Sequence, residues 1–510
     1  VKSTKACLQI GIMVLLCVAG QLVWGVPGGI IPQTVLPRAA QEADSDTKQE
    51  VSPKYAILMI ADGWGYKQIE ATNAYTGSVP KYQTWTHYPM ATWDLTTQDG
   101  NKGVGYDPEK AWKEFIYTGL RFTDSASAAT AMYTGSKTDS GNICTSHNDA
   151  YRLLNIGEIA KGLRMASGAV SSVQLSHATP GAWYAHNDDR ENGYAIADEG
   201  LWGLPTLTLR ETDESAQTDK YKGHRGPTHP TPDVLIGGGH PGWDDTYVGR
   251  AQRDKLASDS GQPGSWTFVE RVSGSPDGAA RLLAAARDPE VKRLVGLFGG
   301  EGGNFEWRMA DGSGSNPENP TLADCAEAAL DVLGRNPNGF VLMIEGGAID
   351  WANHANNLNL MIGEEIDFDN AVQKVVDWVG SSDNRSSWDN TLVIVTGDHE
   401  CGYLTAGPRV FPNEPLGEVS DRTLALEKRI VSSGRRASWE DENGNDDIDE
   451  GEMVYWAYNS PGHTNQLVPL YVRGAGSERF LGYATGSDPV RGSYIDNTSI
   501  FDVITDFITD

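Results

Sequence analysis

Hydrophobic residues along the chain follow two alternating patterns. Short unbroken apolar runs, Tyr55 to Ile60, Val234 to Ile236, Phe340 to Ile344, Thr391 to Thr396 and Leu467 to Val472, have the continuity of strands buried on both faces. Between them lie stretches of helical period. Ala371, Val372, Val375, Val376 and Val379 would share one helix face, and Ala279 to Ala286 and Leu322 to Leu333 repeat the pattern. Buried strands alternating with amphipathic helices predict an α/β fold, a three-layer sandwich around a central, mostly parallel sheet with helices on both faces. Such sheets collect ligands at the carboxyl ends of their strands. Residues about 200–270, rich in Gly, Pro, Thr, Asp and His, and residues about 405–460, polar and acidic, break this alternation and are expected as insertions forming a cap or crown.

The amino end reads differently. Lys2 and Lys5 precede an apolar run from Ala6 to Trp24, followed by Gly25, Pro27, Gly28 and Gly29, which is the arrangement of a secretion signal over residues 1–26. Its length leaves an uncleaved N-terminal membrane anchor open. Leu16 before Cys17 lacks the small side chain that lipoprotein cleavage requires. Residues 27–53 read as a polar linker and residues 54–510 as the folded domain. No later segment has the apolar length of a membrane span.

The chain has 510 residues, of which 69 are acidic and 41 basic, a net charge of -28. A surface this negative repels nucleic acid and anionic membranes, so neither is an expected partner, and any site for an anion must be locally positive. The acidity suits either a saline setting or an acidic secreted protein. Cys7 and Cys17 fall in the leader, so Cys144, Cys325 and Cys401 allow at most one disulfide among them. No Cys-x-x-Cys pair occurs, and a bound metal would therefore be held by carboxylates and imidazoles.

Three apolar strands end in a carboxylate: Asp62, Glu345 and Asp398, the last followed by His399. One such residue is an ordinary turn former. Three meeting at one sheet edge would repel one another unless cations bridged them. Asp350 and His354 stand four apart, which on a helix sets both on one face as a metal clamp, and His463 before the last apolar strand can complete that set. His87, His147, His224, His229 and His240 read as structural or surface residues. Asp124-Ser125-Ala126-Ser127 opens a helix of small residues, and first-turn amides favour both a serine alkoxide and a phosphate oxygen.

Taken together, the order of motifs resembles the alkaline phosphatase family from about residue 54 to 510. The resemblance rests on Asp62-Gly63-x-Gly65, Thr123-Asp124-Ser125-Ala126, Ala178-Thr179-Pro180, Ala185-His186 with Arg190, Glu345-Gly346 with Asp350 and His354, Asp398-His399, and His463-Thr464. It implies that residues 54–510 are a catalytic domain hydrolysing small-molecule phosphate monoesters, with Ser125 as the nucleophile that forms a phosphoserine and Arg190 binding two phosphate oxygens. It also implies one zinc held by Asp350, His354 and His463, and a second held by Asp62, Asp398 and His399 and shared with Ser125. Asp62, Thr179 and Glu345 would hold a third, magnesium-like ion. Phosphate scavenging outside the cytoplasm, in the periplasm or beyond, and a homodimer follow from the same resemblance.

Two positions depart from part of that family. His177 stands where some members carry aspartate, and its imidazole can bind a metal-held water or coordinate directly. Trp351 stands where some carry lysine, which removes a cation near the phosphate. Separately, residues 441–452 resemble an EF-hand-type calcium loop with Asp441, Asn443, Asn445, Asp447 and Glu452 as oxygen donors, although Asp446 occupies the position of the usual glycine; the alternative is a solvated acidic loop. Two other readings stand beside the phosphomonoesterase. One is a phosphodiesterase or sulfatase on the same scaffold, against which stand the absence of a Ser-x-Pro-x-Arg motif at Ser125 and the presence of Arg190. The other is a non-catalytic extracellular calcium- or phosphate-binding protein, which has no need of a hydroxyl beside its ligands.

Overall fold

The apolar run from Tyr55 becomes the centre of a large sheet. The computed structural model describes residues 54–96, 105–204, 210–211, 229–406, 417–418, 436–439, 442–444 and 454–510. The leader, the linker and all expected calcium donors except Asn443 lie outside them. In chain order the eleven-stranded sheet uses β1 (Lys54–Ala61), β2 (Thr86–Ala91), β3 (Ala166–Gln174), β4 (Val234–Gly238), β5 (Thr267–Glu270), β6 (Leu294–Leu297), β7 (Gly339–Gly346), β8 (Thr391–Gly397), β9 (Val468–Gly474), β10 (Ala484–Asp488) and β11 (Gly492–Asp496). Their spatial order is β10-β11-β2-β9-β8-β1-β7-β3-β4-β6-β5. From β8 to β5 every neighbouring pair is parallel, and β9 runs antiparallel between β8 and β2.

Around the sheet lie α1 (Tyr66–Thr76), α2 (Ser125–Thr134), α3 (Ile156–Gly162), α4 (Ala178–Gly181), α5 (Gly193–Trp202), α6 (Gly278–Arg287), α7 (Leu322–Leu333), α8 (Ala348–His354), α9 (Leu358–Gly380) and α10 (Ser499–Thr509). Their starts are set by local chemistry. Thr321 and Asp324 form a reciprocal capping box on α7, and the side chain of Asn357 accepts from the Leu360 amide at the start of α9.

Strand alternation sends each apolar run to both faces. Tyr55, Ile57 and Met59 of β1, Phe340 and Leu342 of β7, and Val393 of β8 join one core with α1, α6, α7 and α9. Ala56, Leu58 and Ile60, Val341 and Met343, and Leu392 and Ile394 join the other with α2, α3, α5 and α10. Each fully buried side chain of this size contributes about 1.5–3 kcal/mol of hydrophobic stabilisation. The result is the expected α/β sandwich with helices on both faces.

Part of the polar stretch 200–270 belongs to the sheet itself, because β4 and β5 pair on either side of β6. β5 is an edge strand whose residues are only half-buried, so its composition carries little apolar signal. Within 405–460, Thr405–Ala406, Val454–Ala457, Arg436–Trp439 and Gly417–Glu418 form a separate antiparallel sheet. Cys144, Cys325 and Cys401 are buried free thiols. Among the described residues no helix is long and apolar enough to cross a membrane.

Candidate active site

Three adjacent parallel strands, β8, β1 and β7, deliver the strand-end carboxylates to one edge. Register sets Ile60 beside Glu345 and Thr396, so Asp62, one turn residue beyond β1, follows directly at the edge, with Asp398 just past β8. All three are essentially without solvent exposure. Burial first, and then mutual repulsion, pushes Asp62 well above the usual carboxyl range and Asp398 up to about 8. Burial likewise takes Glu345 up to about 7, against the hydrogen bond that Ser171 donates to its Oε2. Among the described residues no lysine or arginine pairs with any of the three.

Beyond β7 the chain turns into α8, which carries Asp350 and His354 one turn apart. Asp350 Oδ2 lies 3.3 Å from His354 Nε2 and Asp350 Oδ1 3.5 Å from His463 Nε2. Gly63 makes this approach feasible. Its φ is +69°, and a Cβ there would stand 2.6 Å from Asp350 Oδ1 and 2.7 Å from Asp350 Cα.

The histidine tautomers show what the arrangement can hold. His354 Nδ1 lies 2.6 Å from the Pro461 carbonyl oxygen and His463 Nδ1 2.8 Å from that of Thr123. Carbonyls only accept, so each Nδ1 donates and each neutral ring keeps its lone pair on Nε2. Those two Nε2 atoms face each other at 3.0 Å, with Asp350 beside them. A cation between them, either a proton carried by His354 or a metal ion, satisfies both nitrogens. Burial opposes a charge on His354, yet Asp350 outweighs it and raises the ring to about 9, while the histidines hold Asp350 far below its ordinary value despite its burial.

A second set adjoins the first. His399 Nε2 lies 3.2 Å from Asp398 Oδ2 and 3.5 Å from Asp62 Oδ1, and its ring stacks on His463 at 3.6 Å between centroids. Asp398 Oδ1 accepts from the Gly63 and His399 amides, whereas Asp398 Oδ2, Asp62 Oδ1, Asp350 Oδ1 and Glu345 Oε1 are buried without any hydrogen-bond donor. Unpartnered carboxylate oxygens next to imidazole lone pairs fit divalent cations. The two sets, Asp350/His354/His463 and Asp62/Asp398/His399, each bring their donor atoms within 4.8 Å of one another. Glu345 has Asp62, Thr179 and Ser171 as polar neighbours, an oxygen-rich environment.

Ser125 stands at this border. It is the first residue of α2, and its Oγ lies 3.3 Å from His399 Nε2. Asp124 caps the helix by accepting from the Ser127 amide at 2.9 Å, and its other oxygen accepts from Arg190 Nη1 at 2.9 Å. Burial works against that carboxylate, but Arg190 and the hydrogen bonds from Ser127 together outweigh it and lower Asp124. Arg190 Nη2 donates to His177 Nε2 at 3.2 Å. Burial, reinforced by Arg190, takes His177 down to about 3, so the ring is neutral with Nε2 engaged by the guanidinium. Trp351 meets the His177 ring edge-on at 5.7 Å.

Every strand-end, helix and loop residue singled out from the sequence for this site therefore gathers at one sheet edge. Two neighbours were missed. Asp124 reads in sequence as a helix cap alone, and its grip on Arg190 depends on a residue 66 positions away. Cys401 joins the Asp350, His354 and His463 group because the Glu400–Cys401 strand pairs with His463–Thr464; its place two residues after His399 was the available signal. Burial, then Asp350, pushes the Cys401 thiol well up, so it is protonated.

Comparison with known proteins agrees with this geometry. The family model described as Alkaline phosphatase matches residues 53–507. Alkaline phosphatase 4 of Bacillus subtilis is 26% identical over 485 residues, covering 88% of this chain and 89% of its own. Streptomycin-6-phosphate phosphatase of Streptomyces griseus is 27% identical, covering 95% and 98% respectively. Among solved structures, alkaline phosphatase from the Antarctic bacterium TAB5 superposes with a TM-score of 0.56 at 22% identity, over 90% of this chain and 99% of the other. With the match running through nearly all of the folded chain, this protein belongs to the alkaline phosphatase family.

Proposed function

We propose that the protein hydrolyses phosphate monoesters to an alcohol and inorganic phosphate through a covalent phosphoserine on Ser125. The observation that carries the reading is the position of the Ser125 hydroxyl, at a helix mouth and 3.3 Å from His399 in a cage of unpartnered carboxylate oxygens and imidazole lone pairs. Asp350, His354 and His463 would hold one zinc, Asp62, Asp398 and His399 a second, and Asp62, Thr179 and Glu345 a magnesium-like ion. When bound, these ions supply neutralisation of the attacking and leaving oxygens and acidify the serine hydroxyl.

The chain's own groups do the rest. Arg190, oriented by Asp124, offers a planar fork to two phosphoryl oxygens. First-turn amides of α2 face the incoming anion. Ser125 releases its hydroxyl proton to solvent as Oγ forms the new P–O bond and the ester P–O bond breaks, and the departing oxygen takes a proton from water. A water molecule then attacks the phosphorus, the Ser125 oxygen leaves and recovers a proton, and inorganic phosphate is released. The basic, apolar leader pattern and the bacterial relatives support a location outside the cytoplasm. The streptomycin-6-phosphate phosphatase relative supports a monoester substrate whose organic part is not set by family membership alone.

Release of phosphate from an aryl phosphate, with Ser125→Ala beside the wild type, tests the reading. The expected result is loss of at least about 10³-fold in kcat and loss of the acid-trapped phosphoserine. Retained turnover in Ser125→Ala would exclude the covalent route, and faster cleavage of a diaryl phosphate than of the monoester would favour the diesterase alternative.

A further inference from the structure

Away from the strand-end site, His186, Glu199 and His229 form another group of donor atoms. Glu199, buried on α5, sets Oε1 3.0 Å from His186 Nδ1 and 2.9 Å from His229 Nδ1. Its other oxygen accepts from the His186 amide at 3.0 Å, which fixes the carboxylate. His186 Nε2 lies 3.1 Å from the Leu153 carbonyl oxygen, so Nε2 carries the proton. In the neutral ring Nδ1 then aims its lone pair at a carboxylate oxygen. Either the Arg152 Nε–H, which donates to Nδ1 at 3.4 Å, or a metal ion between Nδ1 and the carboxylate can meet that lone pair.

We propose that His186, Glu199 and His229 bind a zinc-type divalent cation at a site separate from the strand-end cage. Two imidazole nitrogens and one carboxylate oxygen within 4.8 Å of one another match a donor set that zinc takes, with a fourth position for water. A hard cation such as magnesium or calcium prefers oxygen alone. The His186 Nε2–H bond to a backbone carbonyl is the outer contact that orients metal-binding imidazoles. The charge around the group permits the ion. Arg152 Nε approaches His186 Nδ1 at 3.4 Å, but its guanidinium is ion-paired with Glu158, whose Oε2 lies 3.5 Å from His186 Nε2. Glu158 and Glu199 together outweigh Arg152 by one negative charge. Bound there, the ion ties α5 and the segment leading to β4 to the loop that four residues later presents Arg190, so its role is positioning rather than catalysis.

The test is a difference in zinc content. Full-length wild type and His229→Ala are saturated with zinc, desalted and analysed by mass spectrometry, with circular dichroism to confirm folding. His229→Ala should hold one zinc fewer per chain, and zinc-edge anomalous scattering from wild-type crystals should place a peak bonded to His186 Nδ1, Glu199 Oε1 and His229 Nδ1. Equal zinc in the two folded proteins, or no peak among those atoms, overturns the proposal in favour of a metal-free triad in which Arg152 meets the lone pair. If His229→Ala does not fold, the anomalous peak decides. Because the measurement is a difference at His229, it is independent of what the strand-end cage binds.

Discussion

Replacing Gly63 by alanine isolates how closely the strand-end turn and α8 must approach. Two costs arise. The left-handed φ of +69° costs a residue with a Cβ about 1–2 kcal/mol. The Cβ would also lie 2.6–2.8 Å from Asp350 Oδ1, Cα and Cβ, where carbon contacts normally settle near 3.5 Å. Backbone must therefore move by nearly an ångström, for about 1–3 kcal/mol of overpacking. Gly77 supplies the control, since its φ is +64° and nothing lies within 4 Å of its Cβ position. Gly77→Ala should lose only the left-handed cost, about 1–2 kcal/mol by urea unfolding, with turnover unchanged. Gly63→Ala should lose about 2–5 kcal/mol. Because the collision displaces Asp350 from His354 and His463, it should also lose on the order of 100-fold in kcat/KM for an aryl phosphate at saturating zinc and magnesium. Equal losses of activity in the two variants, or a Gly63→Ala enzyme within about twofold of wild type, would refute the argument from close approach.

Two further outcomes are expected. Asp62, Asp398 and Glu345 have folded-state values raised above the ordinary carboxyl range, so metal-free folded protein binds more protons than unfolded chain. Its stability should therefore fall as pH rises from about 4 and level off near 9, once His354 has also lost its proton, while the metal-loaded protein, in which only buried carboxyls away from the cage such as Glu364, Glu365 and Asp369 still titrate, has a shallower slope; parallel thermal unfolding curves with and without chelator between about pH 5 and 9 would contradict it. Trp351→Lys, adding a cation beside His177 and Arg190, should tighten inhibition by inorganic phosphate roughly fivefold, the equivalent of about 1 kcal/mol for a single partly exposed charge pair; an unchanged or weaker inhibition constant counts against it.

Much of this molecule was legible in one dimension. Runs such as Tyr55 to Ile60 and Phe340 to Ile344 declare strands buried on both faces because side-chain direction repeats every two residues, and Asp350 with His354 declares a helix face because direction repeats each turn. β5 was less legible because a half-covered edge strand needs little apolar surface. His229 reads as a surface histidine, since nothing near it in sequence hints at Glu199 thirty positions earlier.

What the sequence alone determined was therefore the inventory: the alternation of strands and helices, the carboxylates at strand ends, and a serine at the start of a helix of small residues. These follow from local geometry, which the chain writes directly into its residue pattern. Which strands became neighbours, which tautomers the carbonyls of Leu153, Pro461 and Thr123 impose, and which carboxylate oxygens are left without a donor were decided only in three dimensions. The reason is that strand order β8-β1-β7 is selected by packing two cores at once, a sum over contacts between residues hundreds of positions apart that no local period records.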